Sequence, residues 1–239
     1  MRITFSFDDN HKLNLKVADL FDEFGFKATY YINRDIIPKY PQPMTEDEIK
    51  NLFERGFEIG AHTLTHPVLT TIESDEELWD EIKGSKDYLE NLLGTKICGF
   101  CYPKGQFNTK VIDFVKSAGY SYGRTVGEGC TANPSNLYTI VPTIQIYNKA
   151  RRRYLRFKKR LINKEPYSMS GDWKRSCLLF MRKLKEEEPV KSERIIHIWG
   201  HSWEINQQDL WKDLENILEW MNNYNLKSVC NNEAYKIKI

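Results

Sequence analysis

A chain of 239 residues, 41% hydrophobic and 28% charged, is long enough to bury a large core and has the make-up of an ordinary globular protein. Its formal net charge of +2 gives no sign of a polyanionic partner. No stretch approaches the roughly 20 apolar residues of a membrane span. The N-terminus lacks the basic start and apolar run of a secretory peptide, so a cytoplasmic protein is the expectation. The five cysteines (Cys98, Cys101, Cys130, Cys177 and Cys230) are odd in number and dispersed, as reduced, mostly buried thiols would be. Cys98 and Cys101 form the one close pair, and no second pair completes a four-cysteine zinc site.

Arg2 to Asp8 alternates as a strand, with Ile3, Phe5 and Phe7 on one side and Thr4, Ser6 and Asp8 on the other. The polar side suits the lumen of a barrel and the apolar side an outer layer of helices. Leu15, Ala18, Leu20, Phe21 and Phe24 then recur at helical spacing up to Gly25. Ala28 to Ile32 reads as a second strand, and Thr45-Glu46-Asp47-Glu48 as the capping box of a helix stopped by Gly56. Phe57 to Ala61 is a short strand that delivers His62. Ser74 caps a longer helix through Leu92, followed by Gly94. Ile97 to Tyr102 is a strand, Thr109 to Ala118 a helix, and Tyr120 to Tyr122 continues the series.

Residues 127 to 148, with two glycines and two prolines, read as loop with short strands. Residues 149 to 164 are strongly basic. Regular patterning returns with a strand over 194–201, a helix from about Gln207 to Tyr224, and a last short strand at Lys227 to Val229. Alternating strands and helices argue for parallel strands with helical crossovers, as a barrel or a doubly wound sheet. With no repeat, linker or low-complexity tract, one domain over 1–239 is the simplest organisation, carrying an irregular basic insertion around 127–190.

Chemistry-bearing residues collect at the strand ends, where loops of α/β proteins converge on one mouth. Asp8 and Asp9 follow the first strand, His62 and His66 the third, and His201 the late one. Adjacent aspartates can merely open a turn, and a histidine pair four apart on a helix can be a solvated face. Three strand ends with such groups are harder to assign to turn chemistry. One Asp and two His make a facial site for a divalent ion, and the leftover Asp is free to act as a base. The H-E-x-x-H metalloprotease motif is excluded, because Thr63 stands at the Glu position. His197, Trp199 and His201 share one face of their strand; His201 at its end is a candidate general acid, while His197 lies deeper.

These residues carry a family resemblance. Ser6-Phe7-Asp8-Asp9-Asn10 resembles the T-F-D-D-G motif of the polysaccharide deacetylases, the NodB-homology or carbohydrate esterase family 4 proteins. His62-Thr63-Leu64-Thr65-His66 is similar to their H-[ST]-x-x-H, Phe100 to Gly105 to F-[RA]-x-P-x-G, and Trp199-Gly200-His201 to L-x-H. The resemblance implies a distorted, incomplete (β/α) barrel and hydrolysis of an N- or O-linked acetyl group on a sugar by water activated at a metal. It makes Asp8 the catalytic base, His201 the acid, and Asp9, His62 and His66 the ligands of one divalent ion, with Zn²⁺ the first choice. The backbone N–H of Lys104 would face the oxyanion, and Tyr102 and Trp199 would stand on the substrate side.

Some positions depart from the family pattern. Asn10 replaces a Gly, a change that Asn's tolerance of left-handed backbone would accommodate. Cys101 stands where many members carry an Arg that orients the base, and Trp199 replaces a Leu of the acetyl-methyl pocket, suggesting a reshaped pocket or an aromatic platform for a sugar. The D-x-x-D-W motif is reduced to Asp172-Trp173, which leaves Glu204 as a candidate partner of His201. The basic run 149–164 is either a solvated helix or a contact for an anionic group such as phosphate on a glycan precursor; no nucleic-acid motif accompanies it. A metal-dependent carbohydrate deacetylase is the leading reading. The alternatives are a C–N hydrolase acting on a non-sugar amide, and a non-catalytic glycan-binding protein with a vestigial site.

Overall fold

Strand β1, Arg2–Asp8, has two chemically different faces because successive side chains point to opposite sides of a sheet. Ile3, Phe5 and Phe7 enter the main apolar core, where Phe5 and Phe7 meet Phe21 edge-on at 5.0 and 5.7 Å. On the other side Thr4 bonds Asn231 and Ser6 bonds His197, each at 2.7 Å. This computed structural model describes residues 2–35, 37, 41–129, 133–148, 173–174, 177–178 and 194–237. The basic run 149–164, Asp172 and Cys130 lie outside the described residues.

Parallel neighbours extend the sheet from β1 in both directions. Strands β2 (Thr29–Ile32), β3 (Glu58–Ala61), β4 (Gly99–Cys101) and β5 (Tyr122–Arg124) follow on one side; β7 (Ile195–Gly200) and β6 (Ile144–Gln145) follow on the other. The order β5-β4-β3-β2-β1-β7-β6 curls into a half-barrel, and β8 (Ser228–Val229) pairs with the start of β1. The incomplete barrel implied by the family resemblance is the observed fold, and it resolves the choice between barrel and doubly wound sheet that the alternation left open.

Helices α1 (Leu13–Glu23), α2 (Glu46–Glu54) and α5 (Thr109–Ser117) cover the apolar face. The capping box of α2 is complete, with Thr45 Oγ1 accepting from Glu48 N at 3.2 Å and Glu48 accepting from Thr45 N at 2.8 Å. The long helix expected from Ser74 is interrupted: α3 (Asp75–Trp79) passes through a π-turn at Asp80–Gly84 into α4 (Ser85–Leu93). The helix expected from about Gln207 to Tyr224 is α7 (Trp211–Asn223); a short helix not foreseen, α6 (Ser202–Gln207), precedes it and is set apart where Asp209 takes φ 52° and Leu210 turns into the core. No described helix is long and apolar enough to cross a membrane.

The lumen is floored by the C-terminal segment. Helix α8 (Asn231–Ala234) and Tyr235 lie against the inward side chains, and His197 bridges Ser6 to the Tyr235 hydroxyl at 2.9 Å. The Glu58 carboxylate accepts from Thr29, Tyr122 and the Asn232 amide at 2.7–3.0 Å. Cys98, Cys101, Cys177 and Cys230 are free and buried.

Candidate metal centre

The two aspartates at the end of β1 have different surroundings. Asp8, the last residue of the strand, keeps the lumen-facing alternation of Thr4 and Ser6. Asp9 follows with φ 73°, a left-handed backbone that swings its carboxylate out of the strand direction. The left-handed residue of this turn is therefore Asp9 and not Asn10. Asn10 instead ties the turn down: its side chain accepts from Met44 N at 3.0 Å and its amide donates to Asn33 Oδ1 at 2.9 Å.

His62 leaves the end of β3, and the next four residues form a loop rather than a helix. Thr63 (φ 67°) and His66 (φ 62°) are both left-handed, and His66 N donates to Thr63 Oγ1 at 3.0 Å. That double turn brings the two imidazoles to 4.7 Å between ring centres. Asp9, Thr63, His66 and Lys104 are four of the seven non-glycine residues with positive φ among the described residues, and all four lie in the loops around this site. Backbone strain gathered in this way marks a place where side-chain direction outweighs local stability.

Asp9 Oδ1 lies 3.7 Å from His62 Nε2 and 3.7 Å from His66 Nε2, with His201 Nε2 4.0 Å from Oδ2. Oδ1 is buried and has no hydrogen-bond partner among the described residues, while Oδ2 accepts from Trp203 Nε1 at 2.9 Å. An orphaned carboxylate oxygen between two imidazoles calls for a cation. The histidines suit that purpose. His62 Nδ1 bonds the Cys101 carbonyl at 2.8 Å, and a carbonyl can only accept, so Nε2 presents its lone pair to Asp9. Burial, then the neighbouring His66, hold His62 well below the usual imidazole range, and burial also lowers His66. Neutral imidazoles are the form that binds metal. Two nitrogens and one carboxylate fit Zn²⁺ and several other divalent ions.

A second triple, Asp8, His62 and Cys101, also comes together in the lumen. It is the poorer site, because Asp8 Oδ1 already accepts a charged hydrogen bond from Arg124. A dication there would face a buried guanidinium.

Arg124 is the residue that sequence reading missed. It ends β5 in register with Cys101 of β4, so both side chains enter the lumen, and Cys101 Sγ stands 3.7 Å from Asp8 Oδ2. The guanidinium is fully buried between the rings of Tyr31 and Trp199, 5.1 and 4.9 Å from their centres. Trp199, only 5% exposed, thus covers the cation and offers no open platform for a sugar face. A charged residue closing an otherwise apolar strand was the available signal. Trp203, donating to Asp9 from α6, left no comparable trace.

His201 and Glu204 form the other wall. Glu204 Oε2 accepts from His201 Nδ1 at 2.6 Å and from Gln145 Nε2 at 3.3 Å. Burial opposes the charged form of His201, but the Glu204 hydrogen bond, with Asp9 and Asp8 behind it, outweighs burial and lifts the group to about 9. His201 is therefore an imidazolium at neutral pH, able to give a proton from Nε2.

Lys104 sits in the turn after β4 with φ 55°, its side chain exposed. Gly105 follows at φ 67°, where a Cβ would come 2.1 Å from Val126 Cγ2, so the turn packs closely on the segment that leaves β5. Tyr102 corrects an expectation. The alternation that turns Cys101 inward turns Tyr102 outward into the apolar core, where its hydroxyl donates to the Tyr138 carbonyl at 2.9 Å. It does not reach the substrate side. His11 and His197 are also buried and bonded, His11 Nδ1 accepting from Leu13 N at 3.2 Å.

A family model described as polysaccharide deacetylase matches residues 1–123. Among curated relatives, YxkH of Bacillus subtilis (strain 168), whose name as a polysaccharide deacetylase is itself provisional, is 25% identical over 58% of this chain and 49% of its own. The peptidoglycan-N-acetylglucosamine deacetylase of Bacillus cereus is 28% identical over 49% of this chain and 53% of its own. The chain thus spans about half the length of the curated relatives it matches. The Xyl-CE4 domain of a multidomain xylanase from the hindgut metagenome of Trinervitermes trinervoides has the same fold, at TM-score 0.62 and 16% identity over 98% of this chain and 89% of that one. So has BA3943 of Bacillus anthracis, described as a pseudoenzyme, at TM-score 0.59 and 15% identity over 98% of this chain and 65% of that one.

Proposed function

Since the chain belongs to the polysaccharide deacetylase family, we propose that it is a metal-dependent hydrolase that removes an acetyl group, N- or O-linked, from a carbohydrate. The observation that carries this reading is the division of the aspartate pair. Asp8 is bonded to a buried cation, and Asp9 presents to two neutral imidazoles an oxygen with no hydrogen-bond partner among the described residues. A vestigial glycan-binding site has no need of both arrangements.

Asp9, His62 and His66 hold the divalent ion, Zn²⁺ being the first assignment. Once bound, such an ion supplies a Lewis acid and a more acidic water. Asp8, oriented by Arg124, accepts the proton from the attacking water. The Lys104 N–H donates to the carbonyl oxygen as it gains charge; one such donor is worth about 10²–10³ in rate. His201 gives its proton to the departing nitrogen or oxygen as that bond to the acyl carbon breaks, and acetate and the deacetylated sugar leave. Glu204, accepting from Nδ1, stabilises the imidazolium and so keeps the Nε2 proton available for that step.

The name of the Bacillus cereus relative makes an N-acetylated amino sugar polymer the first substrate to try. Metal-loaded protein is expected to release acetate from N-acetylglucosamine oligomers or from an O-acetylated glycan. Release only from simple non-sugar amides would support the other C–N hydrolase reading. Stoichiometric metal with no acetate from any acetylated glycan would move the protein beside the pseudoenzymes of its fold.

A further inference from the structure

The loop that carries His62 and His66 is held by a carboxylate from another element. Glu81 lies in the π-turn between α3 and α4 and is 8% exposed. Its Oε2 accepts from Leu64 N at 2.9 Å and Thr65 N at 3.0 Å, and its Oε1 from Thr65 Oγ1 at 2.6 Å. Two successive amides beside a left-handed residue, here Thr63, make a concavity that binds an anion. In this protein the anion is internal. Glu81 takes both amides and the hydroxyl that Leu64 and Thr65 offer, and the Leu64 carbonyl accepts from Asp35 N at 2.8 Å.

The π-turn has a purpose in this arrangement. Such a turn inserts one residue and shifts the side-chain register of the helix that follows, and isolated π-turns concentrate at functional sites. Here it presents Glu81 to the loop while the same helix keeps Leu78, Ile82 and Leu89 in the core. The loop lies directly on the turn: a Cβ at Gly84 would stand 2.9 Å from Leu64 Cδ1. Both left-handed residues of the loop, Thr63 and His66, are adjacent to the residues Glu81 grips. The His66 N–Thr63 Oγ1 bond and the Asp35 N–Leu64 carbonyl bond also brace the loop, but among the described residues only Glu81 binds the successive Leu64 and Thr65 amides that lead into His66.

We infer that Glu81 is a positioning residue for the metal centre: by clasping the Leu64-Thr65 amides it pre-sets the angle between His62 and His66 and so sets the affinity for the divalent ion. This rests on the assignment of Asp9, His62 and His66 as ligands. Partners that orient ligands in this way typically contribute about 10–100-fold in metal affinity.

The test is a Zn²⁺ and Co²⁺ titration of metal-free protein against a competing chelator, for wild type, Glu81→Ala, Glu81→Gln and Glu81→Asp. Glu81→Ala is expected to weaken binding of both ions by about 10–100-fold. Glu81→Gln, which still offers an oxygen to both amides, is expected to recover most of that loss, and the shorter Glu81→Asp to fall between. The d–d absorption of bound Co²⁺ is expected to change shape in Glu81→Ala, a change that general destabilisation would not produce. Wild-type affinity and spectrum in folded Glu81→Ala would overturn the inference. Should that variant not fold, wild-type values in both Glu81→Asp and Glu81→Gln would overturn it equally. A wild-type protein that takes up neither ion would overturn the ligand assignment itself, and the role of Glu81 with it.

Discussion

Replacing Arg124 by methionine takes away the cation that Asp8 rests on while keeping a long side chain between the two aromatic rings. In the native protein both partners are withdrawn from water, the Arg124 side chain at 0% and that of Asp8 at 3% exposure. Removing one member of a buried ion pair costs about 3–5 kcal/mol, because the other is left charged and unsolvated. Among the described residues Asp8 then keeps the weak contact with Cys101 Sγ at 3.7 Å. Urea unfolding of the metal-free protein should therefore show Arg124→Met destabilised by about 3 kcal/mol or more. The Asp8→Asn/Arg124→Met double variant should be less destabilised than the sum of its parts, since no charge remains unpaired. Turnover should fall by about 10²-fold at near-constant KM, the size expected when a reacting group is displaced by about 1 Å. Metal content should stay at the wild-type level, because Arg124 bonds the other aspartate. Moving the guanidinium supplies the control. Cys101 lies opposite Arg124 in register and near the same carboxylate, so Cys101→Arg added to Arg124→Met should restore at least tenfold of the lost turnover, about 1.4 kcal/mol. Arg124→Met within threefold of wild-type turnover and within about 1 kcal/mol of its stability would refute the dependence of Asp8 on Arg124.

Three further outcomes test the division of labour around the site and the floor of the lumen. Asp8→Asn should abolish acetate release yet keep bound metal, whereas Asp9→Asn should lower metal affinity itself; equal metal loss in both, measured by elemental analysis after dialysis, would contradict the assignment. Glu204→Gln removes the main support of the His201 imidazolium, which stands at about 9 in the native protein. An acid loses activity as pH rises through its pKa, so the basic limb of the pH–rate profile should move to lower pH in that variant; an unmoved limb argues against His201 as the acid. Glu58 is raised above the ordinary carboxylate range by burial, despite the hydrogen bonds it accepts from Asn232, Thr29 and Tyr122. Above the unfolded pKa the folded state holds more protons than the unfolded one, so this group's contribution is fully present at acid pH and is lost as pH rises through the folded value. The slope is at most about 1.4 kcal/mol per pH unit for one group. Glu58→Gln should flatten the dependence of unfolding free energy on pH in that window, and an identical slope in the variant would remove Glu58 from the account.

Much of the architecture was legible in one dimension because its signals are local. Alternation in Arg2–Asp8 separates a helix-facing from a lumen-facing side, the Thr45–Glu48 box starts α2, and Gly94 at φ 64° ends α4. The interruption of the helix after Ser74 was not legible, since a π-turn conserves composition and alters only hydrogen-bond register. Nor was α6 legible, a short helix ahead of the one expected from about Gln207 and set apart from it by a left-handed Asp209.

At the site, the residue types of Asp8, Asp9, His62, His66 and His201 and their places after strands could be read directly, because each is a strand-end group and strand ends share one mouth. Which partner each would meet could not. Arg124 reaches Asp8 across 116 residues, Trp203 reaches Asp9 across 194, and Glu81 reaches Thr65 from a different element. Hydrogen bonds of this kind depend on which strand lies beside which and on a register fixed to a single residue, and neither is encoded near the groups that bond. The chain by itself therefore determined the set of reactive groups. Only the curl of the sheet decided that one aspartate would meet a cation and its neighbour two neutral imidazoles.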